Sequence, residues 1–597
     1  MVTAANPLAA EAGAAVLRRG GNAIDAAVTV QFVLNVVEPT SSGIGGGGFM
    51  GIHLPEQDRT FFIDSREKAP AAATPTQFLA CDPSCTDEDI EAGGGSAQRI
   101  GSDDGDEISF TEVATSGIAV GVPGTLLGAA YALEQYGSGE FTLAETLAPA
   151  IELARDGFEV NDRLEFTIEN DNGRTQNYPE TAALFRPDGE PLVAGDTLVQ
   201  TELANTFQAI ADNGVEAFYT GEIAQAIVDA QGRSRDTVGP AGAGRMTTQD
   251  LADYLAAGVD ERESIVAEYR GYSINGMPFP SSGGLTVGQI LACLERFDLG
   301  SEEAGFGEGA TSTLHVMVES MRLAFSSRSI WMGDDDAEAL TLPTEGLLAE
   351  GYLTPRCEQI STESRIDDEK IVPGDPRPFD PAFPAAPESS VGNAAEGEVG
   401  IDTTHFTVVD QNGNVVSWTS TIEGTWGTGI TVPGYGFLLN NELTDFNFAP
   451  QANEDEAEFA PGANDVAPGK RPRSSMSPTI VFGDDDFLAA YGSPGGSTII
   501  NSVVNVTVNL IDHGMTVQEA VDAPRISANS PTPNVAYEDA FDGEALDGLR
   551  ALGHTLRDDP GPIGSVQAIV VDPTSGTQYG AADDRRAGTV VGLPAEQ

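Results

Sequence analysis

The stretch Val399–Gly424, VGIDTTHFTVVDQNGNVVSWTSTIEG, holds two alternating, β-branched runs on either side of Asn412-Gly413. Asn-Gly between such runs is a strong short-range signal for a β-hairpin. With those two residues as the turn, Gln411 faces Asn414, and Thr403 falls opposite Ile422, beside Thr421. A bulge would shift that pairing by one residue. The segment before the hairpin is of a different kind. Residues 374–402 are rich in Pro, Ala, Glu and Gly and poor in bulky apolar side chains, so they read as a weakly structured linker. A linker of this kind runs directly into an apolar strand that opens on Thr403-Thr404.

Outward from the hairpin, the pattern predicts strands over His405–Val409, Val415–Thr421, Thr479–Phe482 and Leu488–Tyr491. TIINSVVNVTVNLIDHG reads as a helix, and SVQAIVVD and TQYGAADDRRAGTVVGL as closing strands. Toward the N-terminus, Ala9–Arg18 has a helical pattern ended by Gly20-Gly21, so the chain opens within a helix-forming pattern. Asn22 is placed to cap a second helix, to about Val37, which is apolar nearly all round and so predicted to be buried. Residues 141–330 read mostly as helices broken by NGMPFPSSGG, and residues 82–112 as an acidic, Gly-rich surface insertion. No internal repeat is evident. Helices combined with hairpin-forming strands, and no strict βαβ alternation, predict an α+β fold of two stacked sheets covered by helices.

The charge narrows the function. Against 92 acidic residues stand 30 basic ones, giving a net charge of −62, and the acids run the whole length of the 597-residue chain. Such a chain repels nucleic acid and anionic membrane surfaces. The composition is that of proteins adapted to high salt, where ions screen self-repulsion; the alternative is an acidic secreted enzyme. No run of 18 apolar residues predicts a membrane span. The opening residues lack a basic segment followed by an apolar one, so no signal peptide is read and the compartment is cytoplasmic on a literal reading. Cys81 and Cys85 are close enough in sequence for local pairing, although absence of pairing is equally open, and without a second pair they are a weak metal signal.

Thr403 offers chemistry if the chain is cut before it. A break between Asp402 and Thr403 frees an α-amine, with an unperturbed pKa of about 8, beside a hydroxyl. Nucleophile and general base then belong to one residue.

Nine motifs, in order, carry a resemblance over almost the whole chain: GGNAIDAAV, SSGIGGGGFM, DSREKAPA, GVPGT, PFPSSGG, DTTHFTVVDQNGNVVSWTSTIEGTWGTG, GFLLNNELTDF, KRPRSSMSPTIVF and GSPGGS. With them the sequence closely resembles the γ-glutamyltransferases, which are N-terminal-nucleophile hydrolases. The resemblance implies a four-layer αββα sandwich made as one chain. It implies cleavage at Asp402–Thr403 into a large subunit, 1–402, and a small subunit, 403–597, that stay together as one interlocked domain and heterodimer. It also implies a γ-glutamyl donor such as glutathione, an acceptor amino acid, peptide or water, no metal or cofactor, and a periplasmic or extracellular place if a leader is missing.

Residue by residue, Thr403 matches the nucleophile and Thr421 the threonine that orients it. Gly495 and Gly496 match the backbone amides of the oxyanion hole. Arg66 matches the clamp on the substrate α-carboxylate, assisted by Ser474 and Ser475, while Glu442 and Asp445 match the acids that hold the α-ammonium. Glu423 departs from the asparagine of many members and adds a third carboxylate there. Residues 446–473 occupy the place of a lid loop without its usual tyrosine, Phe459 being the nearest aromatic. His405 shares the strand face of Thr403 and reads as a support residue. Two alternatives stand beside this reading. A glutaryl-type cephalosporin acylase would not need three carboxylates for an ammonium, and a non-catalytic acidic binding protein of the same fold would keep an uncut chain.

Overall fold

The computed structural model describes residues 1–80, 98–99, 110–235, 238, 242–300, 310–336, 340–383, 402–454, 459–483 and 488–592. Cys81, Cys85 and most of the acidic insertion and the linker lie outside the described residues.

In chain order the strands of the two main sheets are β1 (Val2–Ala4), β2 (Gly47–Leu54), β3 (Arg59–Asp64), β4 (Asp260–Glu263), β5 (Ile265–Tyr269), β6 (Tyr272–Gly276), β7 (Thr404–Val409), β8 (Val415–Thr421), β9 (Thr479–Phe482), β10 (Leu488–Gly492), β11 (Gln567–Val571), β12 (Gln578–Ala582) and β13 (Thr589–Val591). One sheet has seven strands in the order β13-β1-β7-β8-β2-β3-β4 and the other six in the order β12-β11-β10-β9-β6-β5. Every neighbouring pair in both is antiparallel. Both sheets draw strands from before and after Asp402.

The helices that matter here are α1 (Pro7–Arg18), α2 (Ala23–Val37), α3 (Asp162–Glu169), α4 (Gly283–Leu294), α5 (Thr311–Trp331), α6 (Glu350–Cys357) and α7 (Thr498–Ile511). Asn22 and Asp25 form the reciprocal capping box of α2, which satisfies otherwise orphaned N–H groups, and all fifteen residues of that helix are buried. Helices α1 and α2 cover the outer face of the seven-stranded sheet, and α4 and α7 that of the other. Val409, Val415, Ile480, Ala490 and Ile569 fill the space between the sheets. The layers therefore run αββα, the expected α+β sandwich. Among the described residues no helix is long and apolar enough to cross a membrane.

Three expectations need correction. The opening residues form strand β1, which pairs with β7, before α1 begins. The stretch 141–330 is not helical throughout: β4, β5 and β6 lie inside it, with Arg270 and Gly271 at positive φ in the turn between the last two. The hairpin register is shifted by one. Asp410 N–H donates to Asn414 O at 3.1 Å, so the loop has three residues and Gly413 takes φ +81°. Thr404 then pairs with Ser420, which brings Thr403 level with Thr421. One further link is not legible in the sequence: Cys293 of α4 and Cys357 of α6 form a disulfide.

Candidate active site

The one-residue shift of the hairpin decides the site. Thr403 Oγ1 lies 3.2 Å from Thr421 Oγ1 and donates to the carbonyl oxygen of Asp402 at 2.8 Å. Thr421 Oγ1 lies 3.2 Å from the same carbonyl oxygen and accepts the Glu423 N–H at 2.8 Å. Asp402 and Thr403 are both buried. The glycine run at 45–48 makes this packing possible: a Cβ on Gly46 would lie 2.1 Å from Thr421 O. The run is there for close approach and not as an ordinary turn.

A cleft beside Thr403 is lined by Arg66, Thr421, Glu423, Glu442, Asp445, Ser474, Ser475 and Gly496. It brings together the expected site residues, except that Gly495 and Asp402 stand next to lining residues. Arg66 leaves β3 on a loop fixed by Asp64, whose Oδ1 accepts the Arg66 N–H at 3.0 Å and whose Oδ2 meets Arg262 at 2.8 Å. The Arg66 guanidinium is therefore free to reach inward. It donates to Glu442, to Asp445 at 2.6 Å and to Pro472 O at 3.2 Å. The acid pair expected to hold an ammonium thus holds a guanidinium of this chain.

Ser474 and Ser475 are fixed by the PFPSSGG motif. Ser282 N–H and Oγ donate to Ser474 O at 2.8 and 2.6 Å. Ser475 Oγ accepts from Arg328 Nη2 at 2.8 Å. Arg328 comes from the buried helix α5, where a lone arginine carries no local signal in the sequence. Glu67 is hidden for a similar reason, as a mere neighbour of Arg66.

The electrostatics of the cleft are set by burial. It pushes the Glu67 carboxyl up to about 7 against the pull of Arg66. It also holds Glu442 well above the usual carboxylate range, with the Glu67 and Asp445 charges adding to the rise and Arg66 opposing it. Asp445 is raised for the same reason. Crowded acids around one arginine hold on to protons.

Glu423 sits at φ +78° and accepts from Asn441 Nδ2. Its charge also acts on the half-buried Arg174, whose Nη1 donates to Thr425 O and Gly427 O at 2.8 Å each. Gly495 and Gly496, at φ +132° and +56°, lead into α7 in conformations that side chains of L-residues avoid. His405 Nδ1 lies 2.8 Å from Thr419 Oγ1, and burial lowers its pKa to about 3, so the ring is a neutral support for the strand. In the segment 446–473, Asn464 Nδ2 donates to Asp445 O at 2.7 Å, while the Phe459 ring lies 4.3 Å from the Arg377 guanidinium.

Known proteins resemble this chain over nearly its whole length. The family model described as Gamma-glutamyltranspeptidase matches residues 9–593. The chain is 41% identical over 595 residues to the glutathione hydrolase proenzyme of Bacillus subtilis (strain 168), covering 99% of this chain and 91% of that one. It is 35% identical over 593 residues to the acylase ACY 1 proenzyme of Pseudomonas sp. (strain SE83), covering 99% and 93%. Among solved structures, the cephalosporin acylase from Bacillus halodurans superposes with a TM-score of 0.79 at 26% identity, covering 100% of this chain and 96% of that one.

Proposed function

The chain belongs to the gamma-glutamyltranspeptidase family, whose members are self-cleaving enzymes, and we propose that Thr403 both cuts this chain and attacks its substrate. The observation that carries the assignment is the position of its hydroxyl. It lies between the Asp402 carbonyl and Thr421, in a cleft whose other wall is the Arg66–Glu442–Asp445 ion group.

In the uncut chain, Thr403 Oγ1 attacks the Asp402 carbonyl carbon. Thr421 takes the hydroxyl proton and gives its own to the carbonyl oxygen. Collapse breaks the C–N bond, a proton passes to the Thr403 nitrogen, and an ester remains. Water hydrolyses the ester to leave an Asp402 carboxylate and a free Thr403 hydroxyl and amine. Chains of 402 and 195 residues result, and because both sheets mix strands from the two sides of the cut, they remain one heterodimer.

In the mature enzyme the Thr403 amine accepts the hydroxyl proton as Oγ1 attacks the γ-amide carbonyl of a donor such as glutathione. The backbone N–H groups at Gly495 and Gly496 receive the oxyanion. The amine returns its proton to the leaving nitrogen, and water or an acceptor amine resolves the γ-glutamyl ester. No metal or cofactor enters these steps.

Donor recognition is an exchange of ion pairs. A γ-glutamyl group brings an α-carboxylate and an α-ammonium. The carboxylate takes the Arg66 guanidinium, with Ser474 and Ser475 beside it, and the ammonium takes over Glu442, Asp445 and Glu423. Each internal charge changes partner and none is left bare, which matters where unpaired buried charge costs several kcal/mol. A glutaryl group lacks the ammonium and would draw Arg66 away from Glu442 and Asp445 without supplying a cation in return. That favours a γ-glutamyl donor over the acylase reading suggested by the second relative.

The test is intact mass of protein made in high salt, with Thr403→Ala alongside. The wild type is expected as two chains breaking before Thr403 that hydrolyse γ-glutamyl-p-nitroanilide, and the variant as one uncut, inactive chain. A wild type that stays whole when folded would refute the assignment.

A further inference from the structure

A second group of side chains meets Thr403 and shares no other member with the donor cleft. The Asp402 carboxylate is gripped by Arg586 Nη2 at 2.7 Å and Ser41 Oγ at 3.0 Å, and Arg163 Nη2 of α3 stands 3.7 Å away. Arg586 Nη1 also donates to Thr403 O at 2.7 Å. Asp402 and Ser41 are buried, the Arg586 side chain is 9% exposed, and Arg163 is more open to solvent. The neighbouring acid, Glu38, accepts from Thr404 Oγ1 at 2.9 Å, and burial raises its carboxyl above the usual range. Two guanidinium groups therefore converge on one carboxylate.

This grip lies on the nitrogen side of Thr403. That side acquires a second meaning once Thr403 is taken as the nucleophile, and a role for the two arginines in the reaction rests on that reading. The freed α-amine must hand its proton to the leaving nitrogen, so the leaving group sits against that amine. Residue 402 is bonded there in the uncut chain. Cleavage unties Asp402 from Thr403 but leaves the two arginines in place. Among the described residues they then keep only Glu38 as a neighbouring acid, whose carboxyl burial holds above the usual range, so they attract another carboxylate. Leaving groups and acceptors of the amino-acid and peptide type carry one. The carboxyl carbon of an amino acid lies somewhat nearer its amine, and that of a dipeptide somewhat farther, than the Asp402 carboxyl carbon lies from the Thr403 nitrogen. Asp402 thus presents its charge at a reach between the two.

We propose that Arg586, Arg163 and Ser41 form a carboxylate subsite for the leaving group and acceptor, occupied in the uncut chain by the Asp402 side chain. The subsite recognises amino acids and short peptides and is indifferent to a leaving group without an anion. It serves the other half of the scissile amide from the half that Arg66 serves.

The experiment uses the mature enzyme with two donors that differ in this charge, γ-glutamylglycine and γ-glutamyl-p-nitroanilide. In Arg163→Met and Arg586→Lys the ratio of KM for γ-glutamylglycine to KM for the anilide should rise about tenfold, as expected for loss of one charged hydrogen bond. Arg163→Lys should recover part of the rise. A general disturbance of the fold would move both KM values together and leave the ratio alone. If Arg586→Lys fails to cleave itself, the two Arg163 variants carry the test. A ratio equal to that of the wild type in every cleaved variant overturns the subsite. A wild type that is cut but inactive on both donors overturns the γ-glutamyl reading beneath it.

Discussion

At the scale of single residues, the Glu67 carboxyl couples the ion group of the cleft to pH. It is fully buried behind Arg66, and a Cβ on Gly47 would lie 2.4 Å from its Oε2. Burial lifts it from 4.5 to about 7, so between those values the folded chain binds a proton that the unfolded chain has lost. The stability this contributes is complete below the unfolded pKa and is lost as pH rises through about 7. One pKa unit corresponds to about 1.4 kcal/mol, so the contribution is at most a few kcal/mol. Glu67→Gln removes the titration, and its melting temperature should fall less between pH 5 and pH 8, roughly the window set by the shift, than that of the wild type. Parallel melting curves against pH in the two proteins would show that Glu67 does not titrate there. The same scale shows what is legible in the sequence. Thr403, Arg66, Glu442 and Asp445 sit in motifs whose flanks mark them, and the structure brings them to one cleft. Arg328, Arg163 and Arg586 reach the site from a buried helix, a short surface helix and the DDRRAG run near the end of the chain. Their meaning comes from the fold, and no local pattern carries it.

At the scale of elements, the hairpin β7–β8 is legible as a hairpin but not in its register. Asn412-Gly413 announces a two-residue turn, whereas Asp410 draws the loop to three. Its Oδ1 accepts the N–H groups of Asn412 and Asn414 at 2.8 and 3.0 Å, and its Oδ2 accepts Asn414 Nδ2 at 2.7 Å. The same Oδ2 accepts the N–H of Ala23 at 3.0 Å, the first residue of α2. One carboxylate therefore fixes the turn that sets the pairing of Thr403 with Thr421 and ties it to the covering helix. Asp410→Ala should lose about 2–3 kcal/mol of stability, the range for hydrogen bonds to a charged group. Self-cleavage should slow with it, because a loosened turn lets the threonines drift out of register. Thermal melts and a time course of intact mass check both effects, and an unchanged melting temperature would refute the role given to Asp410. The hairpin β5–β6 is hidden for a different reason. Its turn is Arg270-Gly271, lacking the Asn or Asp that signals such turns, and β5 is a sheet edge that carries Glu268.

At the scale of the whole molecule, two facts act against each other. The folded core is extensive and interleaved, with both sheets built from strands on either side of Asp402–Thr403. Yet the chain carries a net charge of −62, spread along its length and compressed by folding into a small volume. The buried ion groups around Arg66 and Asp402 are local and little affected by salt; the surface acids are what salt reaches. At about 0.01 M salt the screening length is about 30 Å, so acids repel one another across much of the molecule, whereas at about 1 M it is about 3 Å and only adjacent charges interact. Unfolding spreads the charges apart and relieves the repulsion, so low salt favours the unfolded chain. We expect partial unfolding by circular dichroism in low salt and recovery in molar salt, with activity on γ-glutamyl-p-nitroanilide returning in parallel. A neutral osmolyte at matched osmolality should rescue less than salt does, because it supplies no counterions. Spectra that are identical at the two salt concentrations would mean that the core outweighs the repulsion, and that the acidic surface serves solubility without setting a salt requirement for folding.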